Sequence, residues 1–95
     1  MRNSYIYILT TQKNTALYTG VTSNLKQRIT RHKNSEGSVF TKRYNVTKLV
    51  YFEIFNDIRI AIAREKQIKA GSRKKKLDLV NRINPEWKDL FDDLT

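Results

Sequence analysis

Glu65 lies where a charged side chain costs free energy. Residues 57–70 predict a helix, and Glu65 fills a gap in its apolar stripe, which consists of Ile58, Ala61, Ile62 and Ile68. An ionised carboxylate on a core-facing stripe is unfavourable unless an opposite charge neutralises it. A hard divalent cation such as Mg²⁺, which needs few protein carboxylates because it keeps several waters, would do so. The alternative is an ordinary i,i+4 ion pair with Lys69.

Tyr7 and Tyr18 carry hydroxyl groups on two predicted strands. Runs of β-branched and aromatic side chains around them flank the polar residues 11–14, which predicts an antiparallel hairpin. If Thr10 pairs with Thr15, Tyr7 lies directly opposite Tyr18 on one face of the sheet. A slip of one residue would place the two tyrosines on opposite faces, so this register is a hypothesis.

A catalytic role for either tyrosine requires a nearby positive charge. The pKa of a phenol is about 10, and only a cationic group or a metal ion brings it toward neutrality. Arg28, Lys42 and a divalent ion are the candidates. The alternative is an aromatic cross-strand pair that supports the core.

Arg28 and His32 share one side of a helix predicted over residues 25–33. A planar guanidinium can bind two phosphate oxygens and stabilise charge that builds up in a transition state. His32 could contact phosphate or assist proton transfer to a leaving group. The alternatives are a solvated arginine and a surface histidine.

The composition points to a polyanionic partner. Nineteen Lys and Arg stand against nine Asp and Glu, a net charge of +10. Residues 1–52 hold nine of the basic side chains and a single acid, Glu36, a net +8. Such a field attracts nucleic acid, and we expect the N-terminal half to face it. The basic run Arg73 to Lys76 is either a solvated face or an additional contact to a phosphate backbone.

Length and residue usage limit the class of protein. Ninety-five residues predict one domain, residues 1–95, with an open surface site and no deep cavity. The chain has no cysteine, which excludes disulfides and thiolate metal sites. Its apolar runs are too short for a signal peptide or a membrane span, so we expect a cytoplasmic protein.

The remaining patterns predict the elements that position these side chains. The predicted strands are residues 5–9, 15–21 and 48–55, and the predicted helices are residues 25–33, 57–70 and 72–82. The first strand is apolar on both faces, which is typical of a central strand. Residues 34–45 lack a period and predict a loop. The last predicted helix should turn Leu77, Val80 and Ile83 toward the core, and an acidic, aromatic segment from Glu86 to Leu94 either packs on the domain or meets a partner.

The spacing of these residues resembles that of the GIY-YIG nuclease superfamily, in particular its small single-domain members related to the UvrC N-terminal nuclease domain. Tyr5-Ile6-Tyr7 and, after a ten-residue interval, Tyr18-Thr19-Gly20 match the two name-giving motifs, with Tyr5 in place of Gly and Thr19 in place of Ile. The likeness continues through Arg28, His32, Phe40-Thr41-Lys42, the block from Arg64 to Lys69, and the block from Asn84 to Leu90.

The resemblance implies an α+β fold, a three-stranded antiparallel sheet flanked by helices, and single-metal cleavage of a phosphodiester. By this analogy Tyr7 is the general base or positions the water, and Tyr18 is a hydrogen-bonding partner near the scissile phosphate. Arg28 stabilises the phosphorane-like charge, His32 assists, and Glu65 binds Mg²⁺ or Mn²⁺. Substrate contacts are expected from Gly20, Lys42, Arg43, Arg73, Lys74 and Asn84, with Asn81 as the alternative to Asn84.

The sequence therefore predicts a metal-dependent DNA endonuclease, with distorted or branched DNA as the expected substrate and a role in DNA repair or processing. RNA is not excluded as a substrate. Two other classes stay open: a nuclease fold that only binds DNA or RNA, and a domain whose partner is a protein. A pure binding module has no need of Glu65 in an otherwise basic field, which favours the enzyme.

Overall fold

A computed structural model describes residues 3–34 and 36–94 of the chain. Its sheet has three antiparallel strands, β1 (Ser4–Thr10), β2 (Leu17–Thr22) and β3 (Lys48–Phe55), in the order β2-β1-β3. The prediction that the first strand is central is confirmed. Successive side chains of β1 enter different apolar clusters, Ile6 and Ile8 on one face and Tyr7 and Leu9 on the other. Both faces are covered because the apolar run leaves neither face polar.

The predicted pairing of the first two strands is wrong by two residues. Tyr7 pairs with Gly20, and Tyr18 pairs with Leu9. The connecting loop is longer than predicted, because the Thr11 hydroxyl accepts a hydrogen bond from the Thr15 backbone N–H at 2.9 Å and β2 begins only at Leu17. Since side chains alternate with a period of two, an even shift leaves both tyrosines on the same face, as expected.

The helices are α1 (Leu25–Lys33), α2 (Val39–Tyr44), α3 (Ile58–Ala70) and α4 (Arg73–Ile83), followed by a 3₁₀ turn at Leu90–Asp93. Asn24, Asp57 and Ser72 cap α1, α3 and α4 through their side chains, which confirms the predicted helix starts. The α+β class and the three-stranded antiparallel sheet are confirmed as well.

Helix α2 corrects the prediction of a loop over residues 34–45. It is only six residues long, and the Ser38 side chain caps it by accepting from the Thr41 N–H. Its buried residue is Thr41, whereas Val39 and Phe40 are exposed. A helix of less than two turns that buries a threonine and exposes its apolar side chains has no apolar stripe to detect.

The buried face of α3 passes through Ala61 and Ile68, with Glu65 between them and only 13% of its side chain exposed. The prediction that Glu65 lies on the core-facing side therefore holds. Ile58 and Ile62 are exposed, as is Ile83 at the end of α4, and for these three residues the predicted burial is wrong. Helical spacing specifies a face, but the width of the neighbouring layer decides which flanking positions it covers.

The acidic C-terminal segment packs on the domain. Asp89 forms an ion pair with Lys33 at 2.6 Å and accepts a hydrogen bond from the Leu49 N–H. Leu90 and Phe91 pack against the apolar cluster that contains Tyr7. Within the described residues no helix has the length and apolar character needed to cross a membrane.

Candidate active site

The Tyr7 side chain extends from the central strand β1 over the edge strand β2. It is fully buried, and its hydroxyl is 3.2 Å from Nε2 of His32. The ring lies over Gly20, where a Cβ atom would come within 2.4 Å of both Cζ and the hydroxyl oxygen of Tyr7. Position 20 therefore requires glycine because the phenol occupies the space of a side chain. This packing role was not predicted, and the predicted substrate contact of Gly20 stays a prediction.

His32 is buried at the centre of a hydrogen-bonded chain. Its Nδ1 lies 3.2 Å from the Thr41 hydroxyl, which itself donates to the Ser38 carbonyl at 3.0 Å. The hydroxyl therefore accepts from Nδ1–H, and we assign to His32 the tautomer whose Nε2 is free to accept from Tyr7. Burial, together with the charges of Arg28 and Arg31, lowers the pKa of His32. The imidazole is consequently neutral at pH 7, and its burial excludes the surface alternative.

Tyr18, Arg28 and, more weakly, Glu65 influence the charge of the Tyr7 phenol. The Tyr7 and Tyr18 ring centroids are 6.4 Å apart. Burial, with smaller contributions from Tyr18 and Glu65, raises the pKa of Tyr7 to about 12, although the Arg28 guanidinium opposes the shift. The expected neighbours are thus present, but the shift is opposite to the one that a free base requires. Tyr7 is a neutral hydroxyl that donates to His32.

The Glu65 carboxylate is paired with the Lys69 ammonium at 3.0 Å. The i,i+4 alternative is therefore present in the structure, on a carboxylate that is also largely buried. The described part of the chain contains no group of three or more His, Cys, Asp or Glu side chains that could hold a metal. A cation at Glu65 would rest on this one hard oxygen ligand, water and substrate, a donor set that fits Mg²⁺ or Mn²⁺.

Two of the predicted substrate-binding residues, Lys42 and Arg43, are exposed on α2, the helix that supplies Thr41 to the site. Arg73 and Lys74 begin α4, where Arg73 donates to the Thr15 carbonyl at 3.1 Å and Lys74 pairs with Asp78. Substrate contacts by these four cations stay predictions.

Asn84 has a structural environment that argues against its predicted substrate contact. It is buried, and its amide donates to the carbonyls of Val50 and Lys88. Its Oδ1 accepts from the Lys88 N–H at 3.0 Å. Both hydrogens of the amide are therefore used within the protein, so Asn84 supports the fold and has no donor left for a substrate. The alternative, Asn81, accepts from the Trp87 indole N–H at 2.6 Å.

Two open clefts meet at Tyr18. One of about 280 Å³ is lined by Tyr18, Arg28 and His32 together with Arg31 and residues 36–38. The other, of about 320 Å³, is lined by Leu17, Tyr18, Thr19, Phe40, Lys69 and Lys76. The site is thus an open surface, as predicted. Phe40, Thr41 and Lys69 were not predicted as site residues, although all three stand in blocks that match the family. Lys76 belongs to the basic run for which a phosphate contact was one of two alternatives.

Comparison with known proteins identifies the class. The family model described as the GIY-YIG catalytic domain matches residues 3–78, and the chain belongs to this family. The predicted resemblance is confirmed, and membership of this family suggests nuclease activity.

The chain is also similar to individual proteins of known sequence or structure. The chain is 45% identical over 78 residues to a UPF0213 protein of Clostridium perfringens, and the match covers 82% of this chain and 83% of the relative. It is 41% identical over 81 residues to a UPF0213 protein of Staphylococcus saprophyticus, covering 85% and 98%. The solution NMR structure of a UPF0213 protein from Bacillus halodurans superimposes with a TM-score of 0.58 at 29% identity, covering 98% of both chains.

Proposed function

We propose that the protein is a metal-dependent endonuclease that hydrolyses DNA phosphodiester bonds at the site around Tyr7. The observation that carries the proposal is the buried hydrogen bond from the Tyr7 hydroxyl to a neutral His32, with the Arg28 guanidinium and the Glu65 carboxylate beside the same phenol. An acid–base pair, a cation and a hard carboxylate are the groups that hydrolysis of a phosphodiester requires.

The Tyr7–His32 pair would move the proton of the attacking water. Tyr7 holds its own proton at neutral pH, so it can accept one from water only as it passes its hydroxyl proton to Nε2 of His32. Thr41 keeps that nitrogen free of a proton. The imidazolium that forms lies near Arg28 and Arg31, which disfavour it. Nε2 therefore returns its proton to the Tyr7 oxygen while Tyr7 gives its own proton to solvent, and the leaving oxygen of the phosphodiester takes up one proton from solvent.

Arg28 and Glu65 would stabilise the negative charge of the phosphate, Arg28 directly and Glu65 through a metal ion. The guanidinium lines the cleft beside Tyr18 and His32, where it can bind the non-bridging oxygens as negative charge accumulates on them. Glu65 would hold the Mg²⁺ or Mn²⁺ ion, which when bound supplies Lewis-acid stabilisation of the phosphoryl group. The Lys69 ammonium, 3.0 Å from Oε2, would compete with the metal for this carboxylate.

DNA is the proposed substrate because of the charge and the openness of the site. The net +10 attracts a polyanion, and the two clefts beside Tyr18 are open rather than enclosed. A shallow surface suits the recognition of distorted or branched DNA, as met in repair, better than it suits the reading of a base sequence. Cleavage of RNA instead of DNA is one outcome of the test.

The test is a nicking assay on supercoiled plasmid, branched duplex and single-stranded oligonucleotides, with Mg²⁺, with Mn²⁺ and with chelator. We expect metal-dependent cleavage that falls at least about 100-fold in Glu65→Gln, with folding and DNA binding retained. Glu86→Gln is the matched control, since Glu86 is exposed and pairs only loosely with Lys88 at 3.6 Å. Cleavage that is unchanged in Glu65→Gln would overturn the proposed site.

A binding domain without catalysis is the second candidate. The ion pair from Lys69 neutralises Glu65 without a metal, and the pKa of Tyr7 of about 12 leaves the phenol neutral. This alternative predicts DNA affinity with a steep salt dependence and no turnover on any substrate.

A further inference from the structure

An exposed aromatic surface extends from the candidate site along α2. We call the rings of Tyr18, Phe40 and Tyr44 the aromatic platform. Tyr18 and Phe40 are stacked, with centroids 6.1 Å apart and planes inclined by 25°, and Phe40 lies 4.8 Å from Tyr44. Phe40 is 39% exposed and Tyr44 49%. Tyr18 belongs to the platform and to the site, since its centroid is 5.7 Å from the ring of His32.

Packing of the core does not account for the platform. The residue that α2 buries is Thr41, which reaches His32, while the aromatic side chains of the helix lie toward solvent. Hydrophobic burial would place Phe40 inside, because its exposure forfeits the gain from removing apolar surface from water. A cluster of partly exposed rings beside a cleft indicates a binding surface.

The charges around the platform select the kind of partner. Lys69 and Lys76 line the cleft that Tyr18 and Phe40 share. Lys42 and Arg43 are exposed on α2, and the Arg43 guanidinium carbon lies 5.7 Å from the centroid of the Tyr44 ring. Rings interleaved with cations match a nucleic acid strand, in which flat bases alternate with anionic phosphates.

Only an unpaired nucleotide can use such rings. In a duplex each base is covered by its stacked neighbours, so its face becomes available only in a single strand, a flap or a splayed end. The rings begin at Tyr18, which touches the reaction site, so a base on the platform belongs to a nucleotide close to the scissile phosphate.

We propose that the aromatic platform of Tyr18, Phe40 and Tyr44 stacks an unpaired base next to the bond that is cut, which makes single-stranded DNA and junctions with unpaired nucleotides the preferred substrates. This inference rests on the proposed function, whose site it extends. Phe40 and Tyr44 select the substrate and take no part in the chemistry. Lys42 and Arg43 bind the flanking phosphates.

The experiment measures binding with cleavage blocked by chelator. A fluorescently labelled single strand and the duplex of the same sequence are titrated with wild type, Phe40→Leu and Tyr44→Leu, and thermal unfolding confirms that each variant folds. Leucine keeps an apolar side chain but offers no ring, so single-strand affinity falls about 5- to 50-fold in each variant while duplex affinity stays within about twofold. Val39→Ala is the matched control, because Val39 lies on the same helix and is 84% exposed.

Each outcome decides between the hypotheses. Unchanged single-strand affinity in both leucine variants, or an equal loss on single strand and duplex, overturns the platform. The first result also favours a protein partner for these rings. If no DNA is ever cut but the selective loss occurs, the proposed nuclease fails, and the platform stands as a binding site for unpaired bases. If Glu65→Gln abolishes cleavage and the leucine variants bind like wild type, the nuclease stands and the platform fails.

Discussion

The close approach of Tyr7 to Gly20 makes Gly20→Ala a quantitative test of the site. The new Cβ would lie 2.4 Å from Cζ and from the hydroxyl oxygen, whereas ordinary contact begins at 3.4 Å, so the phenol must move by about 1 Å. Tyr7 is fully buried, and overpacking of this kind costs about 1–3 kcal/mol. The lower entropy of the unfolded alanine chain offsets about 0.4–1 kcal/mol of this cost. We expect a net loss of up to about 2.5 kcal/mol in the free energy of unfolding.

The catalytic effect should exceed the effect on stability. A displacement of about 1 Å carries the hydroxyl away from Nε2, to which it now lies at 3.2 Å, and beyond hydrogen-bonding range. Misplacement of a reacting group by this amount typically costs about 100-fold in rate. Urea unfolding gives the stability, single-turnover cleavage with Mg²⁺ gives the rate, and ¹⁵N NMR of the one histidine in the chain reports the lost hydrogen bond.

Gly71→Ala provides the control for this test. A Cβ at position 71 would meet the Ile68 carbonyl oxygen at 3.3 Å, and the backbone φ of −77° suits alanine. We expect a change below about 0.5 kcal/mol and an unchanged cleavage rate. If Gly20→Ala behaves like Gly71→Ala in all three measurements, Tyr7 is not held over residue 20 and the reasoning about the pair with His32 is wrong.

Two further predictions concern the buried histidine. Thr41→Val removes the acceptor of the His32 Nδ1–H, which costs about 1–3 kcal/mol of stability and lets the proton move to Nε2. We therefore expect cleavage to fall about 100-fold in Thr41→Val and to be restored in Thr41→Ser. A valine variant that cleaves normally would contradict the assigned tautomer. Because the pKa of His32 is lower in the folded than in the unfolded chain, the unfolded chain binds more protons below about pH 6.5. Stability should therefore rise with pH up to that value and level off above it, and this rise should vanish in the melting curves of His32→Gln.

Local signals in the chain were sufficient for most of the fold. Asn24, Asp57 and Ser72 cap helices because each places a short polar side chain before a run of helix formers. The continuous apolar run of residues 5–9 is enough to place a central strand. Helix α2 was not predicted because it buries Thr41 and has no apolar stripe. The strand register was predicted wrongly because the Thr11 side chain stabilises a longer loop.

The sequence by itself determined the α+β class, the positive field, and the set of hydroxyl, imidazole, guanidinium and carboxylate groups, because residue type, spacing and charge are local properties. Only the tertiary structure decided which of those groups touch each other and in which protonation state they are held. Tyr7 and His32 are 25 residues apart, and their contact, the tautomer of the imidazole and the raised pKa of the phenol all depend on burial and distance. The same holds for Gly20, whose necessity follows from a ring on the neighbouring strand rather than from its own turn.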